Sequence, residues 1–421
     1  MLSIVIAGLE RHDGAAAGVA PAGPRTAVAA LLARFGATSA GAAGPAEFAR
    51  RVAPCLRRGD VDGVVLCVDA TAPVHQVRAA LRLIDKPALL LSLPADDAQA
   101  DDAAARRART PAAELAVTLR AERVNVDVVA GRADCAATHA RIVQWTDTLG
   151  ACKRLADTGI GILYPPAEGI PRAAARLPVL SNALGIRFVA LDSSDFARRR
   201  DALSTFRLGR KRADFDSAFD VGCGPADIEA VLRTACALDD MVWANRCGAI
   251  VHCPGAGDSD ALIERTLPAG AALLNDRGLP VAGRGGVDAV AARCVLEALG
   301  APAVCAEPVG TYGARGTTSC VLDVPHRRLA APRRGRLDGE LRVTQPIAAG
   351  PVTALALVEP APGMLVLRFA EGMAVDGPDG RCGVDFGAPP DGWSGARGAL
   401  GLGHVGGAVQ RLARYLHLQY S

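Results

Sequence analysis

The side chains that could do chemistry in this chain gather at the ends of short apolar runs. His252-Cys253, Arg284, Asp288, Glu307, Ser319-Cys320, His326 and His404 each follow or flank such a run. Their types cover what proton transfer and small-molecule capture need: carboxylates and imidazoles that exchange a proton, thiols that act as nucleophiles or soft ligands, and a guanidinium that holds an anion. Any one of them alone reads as a helix cap, a buried core residue or a satisfied polar contact. Their shared position at strand ends is the better argument for a site.

Familiar catalytic signatures do not explain them. Gly283-Arg284-Gly285-Gly286 lies between a predicted strand and a predicted helix, as a dinucleotide fingerprint would, but the third glycine position is Asp288. Without that glycine, helix and strand cannot pack closely in the dinucleotide-binding manner, so no nucleotide cofactor is expected. Walker-type loops, H-E-x-x-H and G-x-S-x-G are absent, which argues against P-loop enzymes, zincins and serine hydrolases. None of the 12 cysteines forms a C-x-x-C pair, which argues against zinc ribbons and thioredoxin-like chemistry.

Bulk properties narrow the class further. A chain of 421 residues calls for two or three domains, and 50% hydrophobic residues supply their cores. The 47 basic and 44 acidic residues are dispersed, a net charge of +3, so the footprint that a phosphate backbone requires is missing and nucleic acid is not an expected partner. No apolar run approaches the roughly 18 residues of a membrane span, and the first ten residues lack the basic start of a signal peptide. A cytoplasmic protein with reduced cysteines and no membrane partner is the expectation.

The elements that must position the reactive residues follow from periodicity. Apolar runs at 2–8, 61–68, 88–93 and 124–129 predict strands, with helices over 26–35 and 74–84 and a solvated segment over 96–110. A helix over 136–155 leads to further strands at 159–164, 187–191, 249–253, 279–282 and 303–305, expected as a second, five-stranded parallel sheet whose carboxyl ends would carry the chemistry. Beyond residue 328, β-type runs at 341–345, 352–358 and 364–370 precede a glycine-rich stretch and an amphipathic helix over 408–418. The fold class is therefore α/β: two Rossmann-like parallel α/β domains (residues 1–155 and 156–328) followed by a smaller, mostly β C-terminal domain (329–421).

Read together, several segments resemble the L-fucose/L-arabinose isomerase superfamily along nearly the whole chain. Gly59-Asp-Val-Asp-Gly-Val-Val-Leu66 followed by Asp85-Lys-Pro-Ala-Leu-Leu-Leu-Ser-Leu-Pro94 is similar to paired strands of its first domain. Ile160-Gly-Ile-Leu-Tyr-Pro-Pro-Ala-Glu-Gly169 with Leu184-Gly-Ile186, and Leu274-Asn-Asp-Arg-Gly-Leu-Pro280, resemble segments of its second. Gly350-Pro-Val-Thr353, Glu371-Gly372, Cys382 and Gly403-His404 match landmarks of its last. No single motif decides; the colinear order carries the resemblance.

The resemblance implies interconversion of aldose and ketose by proton transfer on an open-chain sugar, a divalent cation such as Mn²⁺, and a homo-oligomer, trimer or hexamer. The chemistry needs a cation to polarise oxygen and carboxylates to serve as ligand and acid/base. Carried over by position, the metal ligands would be Glu307 and His404, while the first acidic ligand position holds Arg284 and the nearby acidic position holds Gly286. The family's histidine beside the second ligand is replaced in Ser319-Cys320-Val321, with His326 nearby. A guanidinium repels a cation in a partly buried cleft. One expectation is accordingly an Arg284–Glu307 pair in place of the metal; the other is that Asp288, one turn on, restores the missing carboxylate and acts with Glu307 in catalysis.

Three functions stay open at this point. The chain could be a divergent isomerase of open-chain carbonyl or polyol compounds. It could be a repurposed biosynthetic enzyme that holds an anionic small molecule through Arg284, with Cys253, Cys320 or His326 also contacting substrate. Or it could be a non-catalytic paralogue that binds a ligand or partner.

Overall fold

The computed structural model describes residues 4–9, 37–39, 61–69, 74–82, 84, 86–93, 117–119, 126–131, 135–165, 175–254, 258–275, 279, 281–282, 286–312, 317–322, 335–339, 341, 343–344, 347–376, 382–386 and 397–421. The chain divides into two compact units, Met1–Lys153 and Arg154–Ser421. Among the described residues no helix is long and apolar enough to cross a membrane.

In the first unit, uninterrupted apolar runs such as Val64, Val65, Leu66 and Cys67 are buried on both faces, as strands inside a parallel sheet require. Strands β1 (Ile4–Leu9), β2 (Ala37–Ser39), β3 (Gly63–Asp69), β4 (Ala88–Leu93) and β5 (Val126–Ala130) form a sheet in the order β2-β1-β3-β4-β5, every pair parallel. Helix α1 (Val74–Leu81) buries Val77, Ala80 and Leu81 in its core. Helix α2 (Ala136–Asp157) lies over β3 so closely that a Cβ on Gly63 would come within 2.5 Å of Leu149 Cδ1, so a larger residue there would displace the Leu149 side chain. The helix expected over 26–35 and the segment 96–110 lie outside the described residues.

The second unit opens with another parallel sheet. Strands β6 (Gly159–Tyr164), β7 (Arg187–Asp192), β9 (Ala249–His252) and β10 (Val281–Ala282) run in the order β10-β9-β6-β7. Helices α3 (Leu177–Leu184), α4 (Ser193–Asp201), α5 (Thr205–Ala218), α6 (Pro225–Asn245) and α7 (Asp258–Asn275) accompany it, and short β8 (Phe219–Val221) lies between α5 and α6. Asp192 ends β7 and caps α4 by accepting from Ser194 N at 2.7 Å, the usual role of Asp at a helix start. Helix α8 (Val287–Ala298) follows β10.

A mostly antiparallel region completes this unit. Its strands are β11 (Ala303–Tyr312), β12 (Thr317–Leu322), β13 (Gly335–Leu337), β14 (Val343–Thr344), β15 (Gly350–Ala361), β16 (Met364–Asp376), β17 (Cys382–Asp385) and β18 (Gly398–Leu402). Helix α9 (Gly406–Tyr415) and β19 (Gln419–Tyr420) end the chain. One sheet runs β15-β18-β11-β12-β17-β16-β19, and β15 also pairs with β16. Six of these strands therefore close into an antiparallel barrel, and β19 extends it along β16. Even-numbered residues, among them Val304, Ala306, Cys320, Val352, Ala354, Ala356, Cys382 and Leu400, fill its interior; small side chains suit so narrow a barrel. Odd-numbered residues face outward, and a Cβ on Gly401 would touch Leu296 of α8. β13 pairs with β8 and β14 in a separate small sheet.

This pairing corrects one expectation. Ala303–Cys305 is not a fifth strand of the parallel sheet but the start of β11, antiparallel to β12 and β18. Both faces of the run are buried, so by composition it reads as a parallel strand; its partners are set by tertiary pairing. The β-rich region thus begins at Ala303, ahead of the boundary expected at 328. The reason the α/β part and the barrel form one unit lies in α8, where Val287, Ala289 to Leu296 and Ala298 are all buried. α8 is buried around most of its circumference, including Arg293, whose Nε donates to Glu297 Oε1 at 2.8 Å, and it is covered by β9 and β10 as well as β11, β15 and β18.

Candidate functional site

Helix α8 starts just after β10 ends, so its first turn lies at the carboxyl edge of the parallel sheet. Asp288 sits in that turn, its Oδ1 3.0 Å from Nη2 of Arg176. Arg176 is the residue before α3, and its Nε lies 3.7 Å from Oε2 of Glu359 near the end of β15. One guanidinium thus joins two helix starts and a barrel strand. The Asp288 contact is an ion pair without hydrogen-bond alignment. Burial raises the Asp288 pKa above its ordinary value, the Glu359 charge adds to the rise, and the Arg176 charge opposes it. Desolvation wins: Asp288 keeps its proton to higher pH than an exposed aspartate.

Glu307 occupies the same end of the barrel. β11 and β18 pair from Ala303↔Gly401 to Ala306↔Gly398, which sets Glu307 opposite Arg397, and Arg397 Nε lies 3.1 Å from Glu307 Oε2. β15 pairs with β18 from Val352↔Leu402 to Ala356↔Gly398, so the stretch leading to Glu359 arrives at this end as well. Glu307 and Arg397 are 45% and 44% exposed, and a pair in that much water adds little stability. Asp288, at the start of α8, and Glu307, on β11, thus lie toward the same end of the barrel, with side chains 27% and 45% exposed.

His404 lies elsewhere. It follows β18, whose residues from 398 to 402 lead away from the Glu307 end. At about 3.4 Å per residue, that strand puts the backbones of the two residues on the order of 15 Å apart. Among the described residues, no three His, Cys, Asp or Glu side chains gather where they could hold a metal.

Three of the C-terminal segments, at Thr353, Glu371-Gly372 and Gly403-His404, meet at the His404 end. Thr353 of β15 is opposite Glu371 of β16. Thr353 Oγ1 donates to Gly403 O at 2.7 Å and accepts from Val405 N at 2.9 Å, and Glu371 Oε1 accepts from Gly406 N at 2.7 Å. His404 Nε2 donates to Gly372 O at 3.3 Å. Thr353 and Glu371 thereby satisfy backbone N–H groups at the start of α9. A Cβ on Gly406 would lie 2.6 Å from Phe369 and 2.8 Å from Glu371, so this turn needs glycine.

The other sequence candidates fall as follows. Arg284 and His326 lie outside the described residues; the guanidinium found beside Glu307 is that of Arg397. Cys253, just past β9, is buried, and desolvation pushes its thiol pKa up. Cys320 is buried inside the barrel, its thiol pushed up to about 12 by burial and by neighbouring Cys382. In this state neither presents a thiolate at neutral pH. Sequence reading missed Arg176, Glu359 and Arg397, which carry no motif; only the position of Arg176 ahead of a Leu-Pro helix start marks it at all.

No protein-family model matches the chain, and no curated protein matches it.

Proposed function

We propose that the protein moves a proton between adjacent carbons of a small open-chain hydroxy-carbonyl compound, as a divergent member of the L-fucose/L-arabinose isomerase superfamily with the two-lobed α/β-plus-β architecture of that group. The observation that carries this reading is the pair of contrasting carboxyl groups, Asp288 and Glu307, at one end of the barrel. Burial raises the pKa of Asp288, which suits a proton donor, and the more exposed carboxyl of Glu307 is placed to take up a proton.

Glu307 takes the proton from the hydroxyl-bearing carbon, and the C–H electrons form the double bond of an enediol(ate). Asp288, protonated to higher pH by burial, supplies a proton to the former carbonyl oxygen. The Arg397 guanidinium beside Glu307 balances negative charge in the intermediate. Glu307 then returns its proton to the neighbouring carbon while Asp288 recovers one from the other oxygen.

A panel of aldoses and ketoses incubated with the protein in deuterium oxide tests this. Solvent deuterium at the carbon beside the carbonyl, read by NMR, supports the reading. A second reading, a non-catalytic binder, is favoured by the way Arg176 already bridges Asp288 and Glu359; ligand-dependent melting without deuterium incorporation selects it.

A further inference from the structure

We propose that Cys320 and Cys382 are an oxidisable pair that closes into a disulfide across β12 and β17 inside the barrel. The two residues are direct partners in the antiparallel ladder, Cys320↔Cys382, flanked by Ser319↔Gly383 and Thr318↔Val384. Both belong to the barrel's interior cluster, and both are thiols in this structure. Directly opposed residues have Cβ atoms about 4.5–5.5 Å apart, and a disulfide needs about 3.5–4.5 Å. A strand approach of about 1 Å closes the gap, and small neighbours such as Ala306, Ala354, Ala356 and Ala374 crowd the interior less than larger side chains would.

Access sets the order of events. Cys320 is fully buried at 0% exposure, whereas Cys382 at the start of β17 is 7% exposed, so a small oxidant meets Cys382 first. With hydrogen peroxide, the Cys382 thiolate attacks one peroxide oxygen, the O–O bond breaks, and Cys382 becomes a sulfenic acid as hydroxide leaves with the proton the thiol gave up, as water. The Cys320 sulfur then attacks the sulfenic sulfur, the S–O bond breaks, and the departing oxygen leaves as a second water with the Cys320 proton. Two thiols are oxidised by two electrons and one peroxide is reduced to two waters. Burial of Cys320 and its raised pKa make the closure slow and protect the product.

The test uses the native full chain treated with hydrogen peroxide, alkylated under denaturing conditions, and digested without reductant. Mass spectrometry should find the Cys320 and Cys382 peptides joined and about 2 Da lighter than the two thiol peptides together. Dithiothreitol should separate them, and the oxidised chain should melt several degrees higher because a long loop is closed. Cys382→Ala should abolish both effects, whereas Cys294→Ala should leave the linked peptide in place. Oxidation of exposed Cys135 while Cys320 and Cys382 are both recovered singly alkylated overturns the proposal. So does Cys382 carried to sulfinic acid beside an unchanged Cys320. The wild-type peptide map decides the matter even if Cys382→Ala fails to fold.

Discussion

Arg176 Nη2 lies 3.0 Å from Asp288 Oδ1, and through this contact the start of α3 is tied to the start of α8. The same guanidinium faces Glu359, so the residue that neutralises Asp288 also anchors the barrel strand β15. Burial still outweighs this attraction in setting the Asp288 pKa. The net effect is that Asp288 holds its proton to higher pH than an exposed aspartate, the direction that proton donation requires.

Stability should depend on pH through this residue with a definite sign. An aspartate with a raised native pKa binds its proton more tightly in the folded than in the unfolded chain, so its contribution is greatest at low pH and is lost as pH rises from 3.8 through the raised value. Asp288→Asn keeps the shape and removes the charge. Thermal melts from about pH 4 to about pH 7 should show the variant's melting temperature gaining on that of the wild type as pH rises; a difference independent of pH contradicts the assignment.

Glu307 and His404 should act independently. Residues at opposite ends of a strand and sharing no partner have additive effects within about 0.5 kcal/mol. In a double-mutant cycle of Glu307→Ala and His404→Ala, read by melting with and without Mn²⁺, the coupling should stay below that level. A coupling above about 1 kcal/mol that appears only with Mn²⁺ would place both residues on one metal ion.

Leu296 of α8 is fully buried and lies under Gly401 of β18. Leu296→Ala should cost about 2–5 kcal/mol. Because α8 is covered by the parallel sheet and the barrel alike, amide exchange in β6 and in β15 should still report one common opening of the second unit. Separate openings would show that the barrel folds by itself.

Gly406→Ala drives a Cβ against Phe369 and Glu371. Such overpacking costs about 1–3 kcal/mol, and it should loosen the 403–406 turn, seen as faster amide exchange at Val405 and Gly406. Unchanged exchange and stability would mean that the turn has room to move.

Much of the architecture is legible in the sequence. The runs Ala88–Leu93 and Gly159–Tyr164 become strands with those bounds, because an aliphatic run closed by polar or glycine and proline residues has few other ways to be buried. Ala303–Cys305 shows the limit: its composition fits a parallel strand, and only its hydrogen-bonded partners make it antiparallel. The candidate site divides in the same way. Asp288 and Glu307 are recognisable as carboxylates next to predicted strand or helix ends. Their guanidinium partners Arg176 and Arg397 are distant in sequence and unmarked, so pairing depends on how α3 and β18 dock. The type of His404 was readable, but its place at the far end of β18 depends on strand register.

The most direct test of the proton-transfer account compares wild type, Glu307→Gln and Asp288→Asn for solvent deuterium incorporation into whichever aldose or ketose the wild type exchanges. The account predicts that each variant loses at least about 100-fold in exchange rate, the usual contribution of a positioned acid or base, while both remain folded. Exchange at the wild-type rate in both variants, or no exchange of any panel compound by the wild type, would contradict it.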